Sequence, residues 1–192
     1  FIIKYKNKFL TGIAAIVIVV AGVLGYQHFI SEPNEKKAAE ALFVGEQYFN
    51  ADNFEVALNG DSLGYAGLLT VADKFSGTEA GNLANAYAGL SYYKLGDFDN
   101  AIKYLSAFSG GDDALNYTVR GTIGDSYVQK GEVEKALSYF KEASKSGNIM
   151  VAATYALKLA RAYENIGDKE NALATYEQIK KDYQGVLPGM TE

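Results

Sequence analysis

The chain has 192 residues, enough for one domain of ordinary size and a membrane segment. It contains no cysteine, which excludes disulfides, a thiolate metal site and a cysteine nucleophile. The formal net charge is −5, and without Lys4, Lys6 and Lys8 the remaining 15 basic and 23 acidic side chains carry −8. This acidic balance would repel phosphate backbones, so we expect no nucleic-acid binding. Because the sequence begins at Phe1, we expect further residues to precede it.

The first element is an apolar segment over residues 9–30, which carries no formal charge if His28 is neutral. As a helix it would be about 33 Å long, enough to cross a hydrocarbon core of about 30 Å. The alternative is a cleaved signal peptide, but the run is long and Val23-Leu24-Gly25 is a poor cleavage site. The segment therefore predicts an uncleaved transmembrane helix that anchors the chain in a lipid bilayer.

Charge and small residues predict how this helix is oriented and packed. The three lysines lie in the stub 1–8, so the positive-inside rule predicts a cytoplasmic N-terminus with the rest of the chain across the membrane. Ala21 and Gly25 form a small-xxx-small pair that could pack against another transmembrane helix. His28, which we expect to have no neighbouring carboxylate and which has no second histidine at ligand spacing, is interpreted as a polar residue of the membrane interface.

Three later stretches align with one another at steps of 35 and 36 residues. Each has a small residue, a tyrosine three positions later, then a glycine and an alanine: Gly89, Tyr92, Gly96 and Ala101; Gly124, Tyr127, Gly131 and Ala136; Ala160, Tyr163, Gly167 and Ala172. The pattern predicts helical hairpins in which the glycine ends the first helix with positive φ. The small residue lets the two helices approach closely, and we expect the alanine to be buried where helices cross. The acid that follows each glycine suits the start of the second helix.

This pattern resembles the tetratricopeptide repeat, although the usual early Trp is absent. Three consecutive matches disfavour a generic helical bundle. The resemblance implies an all-α fold, with the single transmembrane helix followed by a tetratricopeptide superhelix of about four hairpin units. We expect a domain over 31–183 with a tail over 184–192. The expected units are 33–75, 79–108, 113–146 and 149–183, the first of which contains a loop at Asn59–Gly64 and a partner helix at about 67–75.

The sequence contains no recognisable catalytic constellation. One histidine and no cysteine exclude Ser–His–Asp and Cys–His sets, and no phosphate-binding glycine motif is present. Asp112 and Asp113 are interpreted as solvated charge and not as a metal site. We therefore expect a protein that is not an enzyme and needs no cofactor or metal.

The resemblance also implies a concave face, lined by set positions of each first helix, that binds partner proteins. Mapped onto this chain, the predicted partner-binding residues are Leu42, Glu46, Phe49, Leu90, Tyr93, Lys94, Asp125, Val128, Leu157 and Arg161. Alternatively, some of them pack the repeats together. Chaperone-binding relatives carry a clamp of Lys, Asn and Arg at positions that here hold Leu42, Glu46, Tyr87, Thr118 and Thr122. We therefore do not expect a receptor for chaperone tails.

The arrangement as a whole is similar to the YfgM-like family, an ancillary subunit of the SecYEG protein-conducting channel. That resemblance implies a scaffold in the bacterial inner membrane whose repeat domain lies in the periplasm. It implies as partners a SecYEG-type channel and a membrane-anchored parvulin-type chaperone, with a role in the handover of translocated chains. Two alternatives remain: a coordinator of envelope assembly or cell division that regulates a cell-wall enzyme, and a eukaryotic import receptor, whose topology the lysines argue against.

Overall fold

The computed structural model describes residues 2–110 and 114–186, with the side chains of 2–10 and Tyr26 excepted. The described residues form helices and turns, without β-strands. The predicted all-α class is therefore confirmed. The helices are α1 (Ile2–Tyr26), α2 (Glu32–Asn50), α3 (Phe54–Asn59), α4 (Leu68–Lys74), α5 (Glu79–Leu95), α6 (Phe98–Ala107), α7 (Ala114–Gln129), α8 (Val133–Ala143), α9 (Ile149–Asn165) and α10 (Lys169–Asp182).

The apolar N-terminal helix runs without a break into the first helix of the repeat domain. A π-helical segment, Gln27–Ser31, joins α1 to α2, and a single helix extends over Thr11–Asn50. Pro33 lies in the first turn of α2. It has no backbone N–H to donate to the carbonyl one turn earlier, and its ring would clash with that carbonyl in a regular α-helix. The wider π-helical turn, which ends at Ser31, accommodates the hydrogen bond that Pro33 cannot make, so the helix stays continuous. By length and composition, this helix is suited to cross a membrane.

The structure adds one detail of α1 to the sequence interpretation and corrects another. The helix begins at Ile2, so residues 2–8 of the expected stub are helical and continuous with the apolar segment. His28 does have a carboxylate neighbour, because its Nδ1 lies 3.1 Å from Oε2 of Glu32 at the next helical turn. Both side chains are exposed. The contact is therefore a surface pair and does not suggest a ligand site.

The later helices pair as the hairpins α5–α6, α7–α8 and α9–α10, with the predicted turn chemistry. Gly96, Gly131 and Gly167 have φ values of 80°, 77° and 81°, which confirms the positive φ expected of a helix-ending glycine. Asp97 and Asp168 cap α6 and α10 by accepting backbone N–H bonds of 3.1 Å. In the middle turn, after Gly131, the Glu132 carboxylate instead binds Lys130 and Lys135.

The small residues allow the two helices of each hairpin to approach closely. A Cβ atom on Gly89 would lie 2.5 Å from Leu105, and one on Gly124 would lie 2.6 Å from the Phe140 ring. The repeated alanines are buried as predicted, and Ala136 has no exposed surface. Tightly packed contacts of this kind leave no space for an added methyl group.

The first helices of the hairpins, α2, α5, α7 and α9, pack side by side, with their N-terminal ends along one edge of the domain. Three contacts establish this alignment. The Glu35 carboxylate of α2 accepts hydrogen bonds from the backbone N–H groups of Glu79 and Ala80. Asn82 of α5 exchanges hydrogen bonds with the Ser109 backbone before α7, and Tyr155 of α9 donates to the Thr118 carbonyl of α7. We call this the near edge, because α1 joins α2 there; the turns at Gly96, Gly131 and Gly167 form the far edge.

We expect Glu35→Ala to lower the free energy of unfolding by about 1–2 kcal/mol. Its carboxylate lies 2.8 and 2.9 Å from the first two N–H groups of α5, so its removal leaves donors at a helix N-terminus unpaired. Thermal unfolding in mild detergent measures the loss. Glu40→Ala, an exposed change on the same helix, is the matched control. Equal melting of the two variants would show that Glu35 does not stabilise the contact between α2 and α5.

The first unit departs from the repeat because a loop divides its second helix into α3 and α4. The expected loop and partner helix are present, but the sequence interpretation missed α3. Asp61 organises the loop by accepting from the Leu63 and Tyr65 backbones at 2.8 and 2.9 Å and from the Tyr48 hydroxyl at 2.5 Å. Leu63 is 90% exposed at its tip.

The hydrogen bond from Tyr48, followed by those from the loop backbone, lowers the pKa of Asp61. Because its folded pKa lies below the unfolded value, its stabilisation is present above the unfolded pKa and lost as the pH falls through the folded pKa. We therefore expect Asp61→Asn to lower the melting temperature at neutral pH and to lose this disadvantage in acid. The measurement is melting temperature against pH, with the exposed change Asp73→Asn as control. A constant difference across this range would contradict the assignment.

Candidate protein-binding face

A cavity of about 240 Å³ lies between α7 and α9, beside the ends of α8. It unites three residues that the sequence predicted separately, Asp125, Val128 and Arg161. The side chains that complete its lining are Val133, Phe140, Lys158, Ala162 and Asn165. The walls thus combine an apolar base with charged groups at the opening. We call this surface, together with the adjoining Tyr93, the α7–α9 site.

An ion pair joins the two walls of the α7–α9 site. The Lys158 ammonium donates to both carboxylate oxygens of Asp125, at 2.8 and 2.6 Å, and the Asp125 side chain is only 15% exposed. The same ammonium lies 5.1 Å from the centre of the Tyr155 ring. Because the carboxylate is already paired, it is held in place and does not need a cation from a partner.

Two tyrosines close to the Asp125–Lys158 ion pair have raised pKa values. Burial raises the pKa of Tyr155 to about 12, and the negative charge of Asp125 contributes to the shift. Burial also raises the pKa of Tyr93, again with Asp125 as a further cause. Tyr93 packs against Phe98 with ring centres 5.9 Å apart. Both phenols therefore stay protonated at neutral pH and can donate or accept hydrogen bonds.

The predicted residues of the first unit form a separate group around Tyr87. Phe49 packs edge to face against the Tyr87 ring, with centres 5.3 Å apart, and against Phe54 at 5.4 Å. Burial raises the pKa of Tyr87, and the Glu46 carboxylate is a second cause, so Glu46 lies close to this phenol. Phe49 therefore contributes to packing between α2 and α5. Glu46 is the charged residue among the three predicted binding residues of the first unit.

Three predicted residues pack against the interior, and one is fully at the surface. Leu42 is only 6% exposed and belongs to the core of the first unit. Leu90 packs against the cluster around Leu105, and Leu157 against the cluster of Ala156, Ala160 and Ile179. Lys94 is exposed. The three leucines therefore fit the alternative interpretation, in which some of the predicted positions pack the repeats together instead of binding a partner.

The remaining predicted residues, Ala21 and Gly25, lie four positions apart on α1. Ala21 is exposed, and a Cβ atom on Gly25 would meet nothing within 4 Å. The transmembrane packing proposed for them is possible sterically, and it stays a prediction. The predicted Asp112 and Asp113 lie outside the described residues.

Sequence reasoning missed the contribution of Lys158 and Tyr155. The sequence did contain a signal for Tyr155. Ala86, Gly121 and Leu157 occupy equivalent positions of three repeats, and the glycine at 121 indicates that another group occupies the space of its side chain. A Cβ atom on Gly121 would lie 1.9 Å from the Tyr155 ring, so the glycine makes room for this tyrosine. Lys158 gave no comparable signal, since its partner Asp125 lies on a different hairpin.

Comparison with protein families agrees with this architecture. One tetratricopeptide repeat model matches residues 122–185, and a second matches residues 87–109. The chain contains tetratricopeptide repeats. The matched segments cover the second half of α5 with all of α6, and the second half of α7 with all of α8, α9 and α10. The sequence has no match among curated proteins.

Tetratricopeptide repeats point to a scaffold for protein–protein interaction, and proteins built from them are generally not enzymes. A larger cavity, of about 420 Å³, lies between α8, α9 and α10 and contains none of the ten predicted residues. The α7–α9 site is therefore the part of the molecule where repeat type, cavity and predicted residues coincide.

Proposed function

We propose that the protein is a single-pass scaffold of the bacterial inner membrane that binds a segment of a partner protein at its α7–α9 site. The partners are a SecYEG-type channel and a membrane-anchored parvulin-type chaperone, and the role is to assist the handover of translocated chains. The N-terminus is cytoplasmic and the repeat domain periplasmic. The observation that carries the proposal is the cavity between α7 and α9, on repeats whose general use is to bind other proteins.

The size and chemistry of the cavity suit a side chain of a partner. A volume of about 240 Å³ is smaller than the roughly 300–1,000 Å³ of small-molecule sites, but it is adequate for one apolar or aromatic residue. Val128, Val133 and Phe140 supply apolar contact, while exposed Arg161 can bind a carboxylate beside that residue. An extended segment with an apolar residue next to an acidic one is the ligand that these groups favour.

The anchor supports a function close to the membrane. Because α1 continues through Gln27–Ser31 into α2, the repeat domain is tied to the apolar helix by continuous helix and not by a flexible linker. A scaffold held in this way would present its α7–α9 site at a restricted height above the bilayer. This restriction raises the effective concentration of the site near other membrane proteins.

Site-specific photocrosslinking in the native membrane tests the proposal. A photoreactive amino acid at Val128 should form adducts with channel subunits or with the chaperone, and the same probe at Leu95, exposed on the far edge, is the matched control. Mass spectrometry identifies the adducts. Adducts with a cell-wall enzyme, or none that exceed those at Leu95, would contradict the proposed partners.

The topology has an independent test. The chain has no cysteine, so Ser109→Cys introduces a unique thiol in the turn before α7. We expect an impermeant thiol reagent to label it in intact spheroplasts. Labelling only after lysis would place the repeat domain in the cytoplasm and would contradict the proposed orientation.

A further inference from the structure

Two exposed apolar side chains begin α9 on the near edge. Ile149 is 52% exposed and Met150 is 50% exposed, although neighbouring Ala152 and Ala153 are buried. They follow the turn from α8 and thus lie on the side of the domain where α1 joins α2. Neither belongs to the α7–α9 site, whose lining begins further along α9 at Lys158.

Backbone groups at the start of α9 are hydrogen-bonded to nearby side chains. The Asn148 side chain accepts the backbone N–H groups of Met150 and Val151, at 3.0 and 3.3 Å. The Thr154 hydroxyl donates to the Met150 carbonyl at 2.7 Å. Backbone groups that lack partners are costly to remove from water, so these bonds lower the cost of covering the turn.

The near edge indicates what covers Ile149 and Met150. The contacts of Glu35 with α5, of Asn82 with Ser109 and of Tyr155 with Thr118 align the start of α9 with the start of α2. The start of α2 is itself the continuation of the apolar helix Thr11–Asn50. Where that helix spans a bilayer, the edge that carries the start of α9 is the edge from which the membrane helix emerges.

We propose that Ile149 and Met150 insert into the interfacial layer of the same bilayer that α1 spans, and thereby form a second, lipid contact of the repeat domain. The inference rests on the proposed membrane anchoring by α1. The contact is apolar, since the acidic balance of the domain gives anionic headgroups no attraction. With two attachment points, the domain would lie over the membrane with a fixed side towards it, and the α7–α9 site would face along the membrane plane.

Site-directed spin labelling of the full chain in phosphatidylcholine liposomes tests the contact. Because the sequence has no cysteine, Met150→Cys carries the only label, and accessibility to apolar oxygen is compared with accessibility to a water-soluble nickel chelate. Leu95→Cys, another exposed apolar position but on the far edge, is the matched control. Ile18→Cys reports on the anchor itself. Ile149→Cys repeats the measurement in case the label at 150 disturbs the helix. Circular dichroism verifies that each labelled variant is folded.

We expect the oxygen-to-nickel ratio at 150 to exceed that at 95 severalfold and to approach the ratio at 18. Equal ratios at 150 and 95, with a high ratio at 18, would overturn the lipid contact while leaving the anchor intact. A low ratio at 18 would instead overturn the proposed anchoring. Protection of 150 from both reagents would indicate a protein partner or a second copy and would also overturn the proposal.

Discussion

Replacement of Gly121 by valine is expected to lower the free energy of unfolding by about 3 kcal/mol. The added Cβ would lie 1.9 Å from Cζ and 2.0 Å from Cε1 of the Tyr155 ring. That ring is only 8% exposed and is stacked on Phe140, so it cannot turn away into solvent. The better helix propensity of valine offsets less than about 1 kcal/mol of the clash.

Thermal unfolding in mild detergent should show a decrease in melting temperature of roughly 6–12 °C for this variant. Gly147→Val is the control, because an added Cβ there meets nothing within 4 Å. A double-mutant cycle with Tyr155→Ala identifies the cause, since removal of the ring should relieve most of the penalty. If Gly121→Val costs the same with and without the Tyr155 ring, the proposed contact between α7 and α9 is wrong.

The repeated part of the fold could be predicted because its signals are local and recur. A glycine with positive φ at Gly96 and a buried alanine at Ala101 each require a particular residue type at a fixed place in the hairpin. Repetition at near-constant steps then distinguishes these residues from chance. The same reasoning placed Gly89 and Gly124 at close helix contacts, which the structure confirms.

The first unit shows where local signals became insufficient. The Asn59–Gly64 turn chemistry predicted a loop correctly, but α3 is a helix of only 6 residues between two turn signals and is too short to show a periodic pattern. Pro33 disfavours helix at the residue before it, yet α1 and α2 are joined there by continuous helix. The π-helical turn Gln27–Ser31 keeps the helix continuous, and the pattern of apolar residues along the sequence does not reveal such a turn.

The candidate site was predicted only in part, because it depends on how adjacent hairpins are rotated relative to one another. Asp125 and Arg161 were identified from positions within a single repeat. Lys158, which pairs with Asp125 between α7 and α9, lies on the next hairpin, so its contact depends on how the two hairpins pack together. Leu42 and Leu157 pack against core clusters, although their repeat positions suggested the open face.

The structure also changes which variants can test partner binding. Leu90 packs against a core cluster, so its replacement by alanine would lower stability together with affinity. Tyr93 and Arg161 are better positions, because Tyr93 is partly exposed and Arg161 is exposed beside the cavity. Aromatic and arginine side chains are also the types that most often dominate the energy of an interface.

We expect Tyr93→Ala combined with Arg161→Ala to weaken partner association by about 2 kcal/mol, roughly thirtyfold in affinity. The reason is that the double variant removes both the aromatic contact and the cation of the α7–α9 site. Partner recovery in mild detergent, quantified by mass spectrometry across a dilution series, measures the loss. The control is Leu95→Ala with Lys169→Ala, which removes an exposed apolar and an exposed cationic side chain from the far edge, outside the predicted set.

A second variant separates loss of binding from loss of structure. Asp125→Asn weakens the ion pair with Lys158, whose two hydrogen bonds join α7 to α9, so it should lower the melting temperature while changing affinity less than the double variant. Full partner recovery by Tyr93→Ala with Arg161→Ala would exclude the α7–α9 site as the point of contact. Association would then have to involve the membrane helix, where Ala21 and Gly25 offer the close approach that helix pairing in lipid requires.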